Sequence, residues 1–252
     1  MPKFFVMSDI HGFYDEMKLA LDEAGFDPNN EEHWIVTCGD HFDRGPKPLR
    51  VMKYLQDLPR KILVKGNHEQ LLMECIDRGY WYSHDRSNGT YQTICDLAPS
   101  AEVFDLACST AYWRVKDFID GMVDYFETKN YIFVHSWIPL IIEDDYPKYY
   151  TRDREYHFNP DWRNATEKEW DEARWGNPFE IAAQGLNQTG KTIVFGHWHT
   201  STGWAKTENR SEFGEDAKFE PYYGDGFIAI DACTAHTGKV NVIVIEDECL
   251  EG

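Results

Sequence analysis

Residues 3–12 are KFFVMSDIHG, a short apolar run that ends in polar residues. Similar runs occur at WIVTCGD (residues 34–40) and KILVKGN (residues 61–67), and amphipathic stretches at residues 14–25 and 48–56 separate the three. Continuous apolar runs are typical of strands buried on both faces, and helical connections between them imply parallel pairing with right-handed crossovers. The first third of the chain therefore predicts a strand–helix–strand–helix–strand unit and an α/β sandwich.

Four further apolar runs predict strands in the second half of the chain. They are YIFVHSW (131–137), KTIVFGH (191–197), GFIAIDA (226–232) and KVNVIVIED (239–247). No long helix separates the last two, so we expect a hairpin that turns at residues 236–238, within a sheet formed by the second half. The segment from 143 to 180 is dense in Tyr, Trp, Asp and Arg, and we expect it to be a structured insertion in a single domain spanning residues 1–252.

Composition restricts the classes of protein to which the chain can belong. Its 25 basic and 44 acidic side chains give a formal net charge of −19. That charge repels the phosphate backbone of a nucleic-acid duplex, and no apolar run reaches the roughly 18 residues that a membrane span requires. The chain meets Asp9 before an apolar signal-peptide core can form, and its six cysteines are scattered without a C-x-x-C pair. We therefore expect a cytoplasmic protein, most simply a monomer, with no duplex and no membrane as partner.

Polar side chains follow five of the predicted strands, at the point where each strand ends. The motifs are Asp9-Ile10-His11-Gly12, Gly39-Asp40-His41-Phe42-Asp43-Arg44-Gly45, Gly66-Asn67-His68-Glu69, Val134-His135-Ser136 and Gly196-His197-Trp198-His199. Each motif alone could be a helix cap or a turn. Because open α/β sheets bind ligands beyond the carboxyl ends of their strands, five such motifs indicate one shared site.

The side chains in these motifs indicate a metal centre. Carboxylates, imidazoles and an amide without thiolates suit manganese, iron or zinc better than calcium or cysteine-bound zinc. Six potential ligands are too many for one catalytic ion with an open position, whereas two ions about 3.5–4 Å apart, bridged by a carboxylate, would use them all. The sequence therefore predicts two divalent ions, with manganese favoured and iron or zinc as alternatives.

The motifs resemble those of the calcineurin-like metallophosphoesterases, and within them the phosphoprotein phosphatase branch of bacterial and bacteriophage serine/threonine phosphatases. The signature Asp-x-His-Gly, Gly-Asp-x-x-Asp-Arg-Gly and Gly-Asn-His-Glu, followed by two isolated histidines, occurs in order across most of the chain. The resemblance implies a sandwich of two mixed β-sheets flanked by helices, and a metal-dependent phosphomonoesterase. It implies six metal ligands, which are Asp9 and His11 at the first ion, the bridging Asp40, and Asn67, His135 and His197 at the second ion.

The resemblance also implies which residues act on the substrate. Arg44 would bind the phosphate together with Asn67, since a guanidinium offers a planar fork that matches two phosphoryl oxygens. A metal-bridging hydroxide would attack phosphorus in line, while His68 protonates the leaving oxygen as general acid. Asp43 would hold that imidazole in the required orientation.

One segment departs from the phage-type pattern. Those members place a second phosphate-binding arginine two residues after a tryptophan, and the residue two positions after Trp175 is Asn177. Arg174 lies on the other side of that tryptophan. Either Arg174 supplies the second clamp, or another residue does, or the clamp is absent, and we favour Arg174.

Three functions are compatible with the sequence. The leading one is a serine/threonine protein phosphatase, and the alternatives are a small-molecule phosphohydrolase, such as a symmetrical dinucleoside polyphosphate hydrolase, and a binding module without turnover. Asp43 and Glu69 favour the phosphatase, because the dinucleoside hydrolases that this core resembles commonly lack an acid at the first position and carry Asp at the second. The complete set of ligands argues against a binding module.

Overall fold

The computed structural model describes residues 1–143 and 155–249. Strands and helices alternate at the start of the chain, as the sequence predicts. In chain order the elements are β1 (Lys3–Met7), α1 (Tyr14–Glu23), β2 (His33–Cys38), α2 (Pro48–Asp57), β3 (Lys61–Val64), α3 (Asn67–Arg78), α4 (Ser83–Asn88), α5 (Thr90–Leu97), α6 (Phe104–Asp120), β4 (Phe126–Glu127), β5 (Tyr131–Phe133), β6 (Ile141–Ile142), β7 (Tyr156–His157), a 3-10 turn (Trp162–Asn164), α7 (Glu167–Ala173), α8 (Pro178–Ala183), β8 (Thr192–Phe195), α9 (Ser201–Glu208), β9 (Tyr222–Gly224), β10 (Phe227–Ala229), α10 (Thr234–Thr237) and β11 (Ile243–Glu246). None of these helices is long and apolar enough to cross a membrane.

The first sheet has the strand order β11-β1-β2-β3. Its three N-terminal strands pair in parallel through α1 and α2, and β11 pairs antiparallel with β1. Alternate side chains of β1 face opposite layers: Phe5 and Met7 pack against the helices, whereas Phe4 and Val6 face the second sheet. The run is apolar throughout because both of its faces are buried.

The second sheet has the strand order β4-β5-β8-β10-β9. Its three central strands are parallel, and both edge strands are antiparallel. Val194 of β8 packs toward the first sheet, whereas its neighbours Ile193 and Phe195 pack outward against Trp137 and Trp162. Two mixed sheets thus lie face to face between outer layers of helices and loops, which confirms the predicted fold class.

The predicted hairpin between residues 226 and 247 is wrong. β10 pairs with β8 and β9 in the second sheet, whereas β11 leaves that sheet and pairs with β1 in the first. The turn itself exists as the short helix α10, which ends at Gly238 in a left-handed conformation with φ 64°. The chain therefore changes sheets at the predicted turn, and the second half of the chain does not form only its own sheet.

The described part of the segment from 143 to 180 covers the outer face of the second sheet. Tyr156 and His157 of β7 pair with β6, and Trp162 and Trp170 are buried in the outer apolar cluster. Residues 144–154, which belong to the predicted insertion, lie outside the described residues.

Candidate metal centre

The five predicted motifs converge at the carboxyl ends of five strands. Asp9, Asp40 and Asn67 follow β1, β2 and β3 of the first sheet, and His135 and His197 follow β5 and β8 of the second. The backbone there is unusual. Of the eight non-glycine residues with positive φ in the described chain, six are predicted site residues: Asp9, His11, Asp40, Asp43, Arg44 and His197. Such left-handed conformations cost energy in ordinary residues and cluster at functional sites.

Two glycines allow the loops to approach one another. A Cβ on Gly66 would overlap Oδ1 of Asp40, and a Cβ on Gly196 would overlap Oδ2 of Asp9. In each case the glycine precedes a predicted ligand and lets the loop of one strand lie against the carboxylate of another. The backbone N–H of His197 donates to Asp9 Oδ2 at 2.9 Å, which ties the second sheet to the first.

The predicted ligands form two groups that share Asp40. In the first group, His11 Nε2 lies 3.9 Å from Asp9 Oδ1 and 3.8 Å from Asp40 Oδ2. In the second group, His135 Nε2 lies 3.4 Å from Asp40 Oδ1, 2.7 Å from Asn67 Oδ1 and 3.1 Å from His197 Nδ1. Asp40 thus directs one carboxylate oxygen toward each group, which is the geometry that a bridging ligand needs.

The histidines are oriented as metal ligands would be. Nδ1 of His11 lies 2.8 Å from the carbonyl oxygen of Phe42, and Nδ1 of His135 lies 2.8 Å from that of Cys38. These carbonyls can only accept, so each Nδ1 carries the proton and each Nε2 presents a lone pair to the centre. The lone pair of His135 Nε2 therefore faces the Asn67 amide oxygen, another acceptor, and a cation between these atoms would satisfy both. The donor set thus fits two divalent ions.

The pKa values of the side chains in the centre also fit two divalent ions. Burial lowers the pKa of His11 and His135 well below the usual 6.5, and it lowers that of His197 to about 3, so the imidazoles are neutral. Burial also raises the pKa of Asp9 and Asp40 well above the usual 3.8. Divalent cations would favour the charged carboxylates and would reverse this second effect.

Arg44, His68 and Asp43 lie next to the first group. Nη1 of Arg44 is 2.6 Å from His11 Nε2, and Nη2 is 3.0 Å from His68 Nε2, while the arginine itself is exposed. His68 Nδ1 lies 2.7 Å from Asp43 Oδ2, and both side chains are buried. The buried carboxylate thus holds one ring nitrogen, and the other points toward the guanidinium and Asp40, 3.9 Å from Asp40 Oδ2.

Two residues inside the motifs, to which the sequence assigned no role in the site, support it. Glu69 is completely buried and accepts hydrogen bonds from the backbone N–H groups of Asp40, His41 and Gly66. Its position within the third motif was the available signal. His41, in the second motif, is also buried, and its Nδ1 lies 3.2 Å from Glu69 Oε1.

Two supporting features come from outside the motifs. Thr90 and Thr93 of α5 contact Asp43, and no local pattern marks them. Asp231 follows β10, at a sixth strand end that sequence analysis did not single out. Burial raises the pKa of Asp231 to about 6, and its negative charge further raises the pKa of Asp9.

Arg174 does not have the role that the sequence suggested. Its guanidinium is buried and donates to the carboxylates of Asp124 and Asp171, so it is not free to clamp a phosphate. Asn177 caps α8, because its Oδ1 accepts the backbone N–H groups of Phe179 and Glu180 at 3.1 and 3.3 Å.

The segment around Trp175 nevertheless reaches the centre. His197 forms a hydrogen bond with the backbone of Trp175, and Ser136, next to His135, donates to the carbonyl of Gly176 at 2.8 Å. The segment therefore contacts two predicted ligand motifs through its backbone, while Arg174 and Asn177 stabilise the surrounding structure.

Comparisons with known proteins agree with this architecture. A model of the calcineurin-like phosphoesterase family matches residues 2–230. A symmetrical bis(5'-nucleosyl)-tetraphosphatase of Dechloromonas aromatica is 32% identical over 102 residues, which are 40% of this chain and 36% of that protein. Its counterpart in Aeromonas salmonicida is 39% identical over 72 residues, 28% of this chain and 26% of that protein. The matched segments thus span about a third or less of these relatives.

Solved structures with the same fold are more distant in sequence. A putative diadenosine tetraphosphatase superposes with a TM-score of 0.53 at 16% identity, over 100% of this chain and 97% of that one. A cold-active protein-tyrosine phosphatase of a psychrophilic Shewanella superposes with a TM-score of 0.55 at 15% identity, over 98% of this chain and 76% of that one. Identities this low relate the folds alone.

Proposed function

The chain belongs to the calcineurin-like phosphoesterase family, and on that premise we propose that it hydrolyses phosphate esters at a centre that binds two divalent ions. The observation that carries the proposal is the position of Asp40, whose two carboxylate oxygens face the two groups of ligands. The proposed catalytic unit is a single domain in which residues 143–180 form an insertion.

Each ion has its own set of ligands in this proposal. Asp9, His11 and Asp40 would hold the first ion, and Asp40, Asn67, His135 and His197 would hold the second. When bound, the ions would activate water as the nucleophile and neutralise charge on the phosphoryl oxygens. Oxygen and nitrogen donors without thiolates suit manganese, which we propose as the native metal.

The remaining site residues act on the ester. Arg44 is exposed at the centre and would bind two phosphoryl oxygens, and the amide of Asn67, in the second ligand group, would add a further contact. His68 donates its Nδ1 proton to Asp43, which turns Nε2 toward the centre, and in the proposed reaction Nε2 would carry the proton that the leaving oxygen takes. Asp43 stabilises the charged imidazolium and fixes its orientation.

The acid machinery bears on the choice of substrate. A serine or threonine alkoxide is a poor leaving group and needs a proton as it departs, whereas the phosphate of a cleaved anhydride leaves readily without one. The buried pair of His68 and Asp43 therefore favours phosphomonoesters, and we propose a serine/threonine protein phosphatase.

A second candidate is hydrolysis of a dinucleoside polyphosphate. It is favoured by the names of the relatives from Dechloromonas and Aeromonas, which match over part of their length. The two candidates use the same centre and differ in the bond that is cleaved.

A panel of substrates with manganese tests both candidates. We expect hydrolysis of a phosphoserine or phosphothreonine peptide and of 4-nitrophenyl phosphate, and loss of both activities with a chelator. Faster cleavage of diadenosine tetraphosphate than of the phosphopeptide would favour the second candidate. Full activity in metal-free buffer would contradict the metal centre, and Asp40→Asn provides the matched inactive control.

A further inference from the structure

The first turn of α5 lies against the loop that carries Asp43 and Arg44. Oγ1 of Thr90 donates to Asp43 Oδ2 at 2.6 Å, and the same oxygen lies 2.7 Å from His68 Nδ1. Thr90 and Asp43 are completely buried, and 3% of His68 is exposed. A hydroxyl from a helix outside the motifs thus holds the carboxylate oxygen that orients the predicted general acid.

Other contacts from the same turn hold the backbone of this loop. Oγ1 of Thr93 accepts the backbone N–H of Asp43 at 3.0 Å. Gly89 has φ 93°, and a Cβ there would overlap the backbone nitrogen of Arg44. Asp43 and Arg44 are themselves left-handed, with φ 70° and 62°, so the loop adopts a costly conformation that α5 supports.

The carboxylate of Asp43 has few other restraints. Its Oδ1 is buried and has no hydrogen-bond partner among the described residues. The hydroxyl of Thr90 and the ring of His68 therefore fix its rotation from one side. Without the hydroxyl, rotation about the terminal bond of Asp43 would move Oδ2 away from His68, because that torsion is broad for carboxylates.

We propose that Thr90 is a positioning residue for the acid pair. It holds Asp43 Oδ2 in place, so that His68 keeps Nδ1 toward Asp43 and Nε2 toward the leaving oxygen. This role rests on the proposed function, since it matters only where a leaving group needs a proton. Serine retains the required hydroxyl, whereas valine has nearly the shape of threonine and lacks the donor.

Kinetics with two esters test the role. With manganese, Thr90→Val should lower kcat about 10-fold for phenyl phosphate and much less for 4-nitrophenyl phosphate, with KM nearly unchanged, because protonation matters only in the transition state. Thr90→Ser should restore kcat. Thr128→Val is the matched control, since Thr128 is also completely buried and bonds to Tyr131 in the second sheet. An equal loss with both esters, or a loss equal to that of Thr128→Val, would overturn the proposal.

A double-mutant cycle tests whether Thr90 acts through Asp43. If it does, Thr90→Val should cause little further loss in an Asp43→Asn background, because the oxygen that it holds has already lost its charge. Multiplicative losses would mean that the two residues act independently, and the proposal would then be wrong.

A measurement without turnover separates this proposal from the proposed function. In the zinc-loaded protein, whose diamagnetic ions leave nearby resonances observable, the Nδ1 proton of His68 should give a low-field proton resonance that moves upfield in Asp43→Asn. Thr90→Val should shift or broaden this resonance, and Thr128→Val should leave it unchanged. If the wild type hydrolyses neither ester, the proposed function fails, yet an unchanged resonance in Thr90→Val would still overturn the role of Thr90.

Discussion

The edges of the two sheets contribute to the centre in different ways. Three loops within residues 9–69 bring together the first-sheet residues, which are Asp9, His11, Asp40, Asp43, Arg44, Asn67 and His68. The second sheet contributes His135 and His197, which are 62 residues apart. Five of the six left-handed site residues belong to the first sheet. The edge that would bind phosphate and donate the proton therefore has the distorted backbone, whereas the other edge presents two imidazoles.

The largest expected effect comes from Asp40→Asn, which removes the link between the two edges. Because each oxygen faces one ligand group, the variant should lose affinity for both ions, and kcat should fall roughly 10³- to 10⁴-fold, as expected from several kcal/mol of lost charge stabilisation. His197→Ala should mainly release one ion. Metal analysis after dialysis distinguishes them, and equal losses of one ion in both variants would contradict the bridge.

His68→Asn tests whether the first edge alone performs the chemistry. Metal content should stay unchanged while kcat for phenyl phosphate falls about 10²-fold, with a smaller loss for 4-nitrophenyl phosphate and little change in KM. Asp43→Asn should give a milder loss of the same kind. If both esters lose activity equally, His68 is a ligand or a structural residue rather than the acid.

The variant Asp231→Asn tests an acidic residue at the edge of the second sheet, through the pH dependence of the free energy of unfolding. Burial raises the pKa of Asp231 from 3.8 to about 6, so its neutral form is favoured in the folded protein. This contribution to the free energy of unfolding is fully present below pH 3.8, declines as pH rises through 6, and amounts to about 3 kcal/mol at most.

Between pH 4 and pH 8, the free energy of unfolding of metal-free Asp231→Asn should therefore fall less than that of the metal-free wild type. Asparagine can still accept the backbone N–H of Cys233, which Asp231 Oδ1 binds at 2.7 Å. Urea unfolding in chelator measures the difference, with the exposed Asp57→Asn as control. Parallel pH profiles for wild type and Asp231→Asn would show that this carboxyl is not perturbed.

The smallest effect on catalysis should come from Arg174→Ala, in the segment that contacts the second edge. The variant should leave KM for phosphate esters within about twofold and lower the free energy of unfolding by about 1–3 kcal/mol, through lost bonds to Asp124 and Asp171. Asn177→Ala should cost about 1 kcal/mol as a lost helix cap. A marked rise in KM in Arg174→Ala would instead indicate that Arg174 binds the phosphate.

The same contrast explains what sequence analysis could predict. The first three motifs follow strands whose apolar runs and intervening helices are local features, so both the strands and the positions of the side chains could be predicted. The pairing of β11 with β1 depends on contacts between opposite ends of the chain, for which an apolar run and a turn hold no information. Thr90 was missed for a similar reason, because it is 47 residues from Asp43.

The position of Arg174 beside a motif did not predict the role of its guanidinium. The carboxylates of Asp124 and Asp171 that engage it come from two different segments, and a partner 50 residues away is invisible in the local pattern. The charge of Arg174 and its position beside Trp175 suited a phosphate ligand, but in the folded chain its guanidinium bonds to Asp124 and Asp171 instead.

The apolar layer between the sheets has a consequence for metal selectivity. Phe4, Val6 and Val36 of the first sheet pack there against Phe133 and Val194 of the second, directly behind the strand ends that carry the ligands. Such interiors are close-packed and resist compression. The thickness of this apolar layer therefore sets the distance between the two sheet edges that carry the ligands. In the proposed centre, these buried side chains would therefore influence which ionic radius fits between the ligands, although none of them contacts an ion.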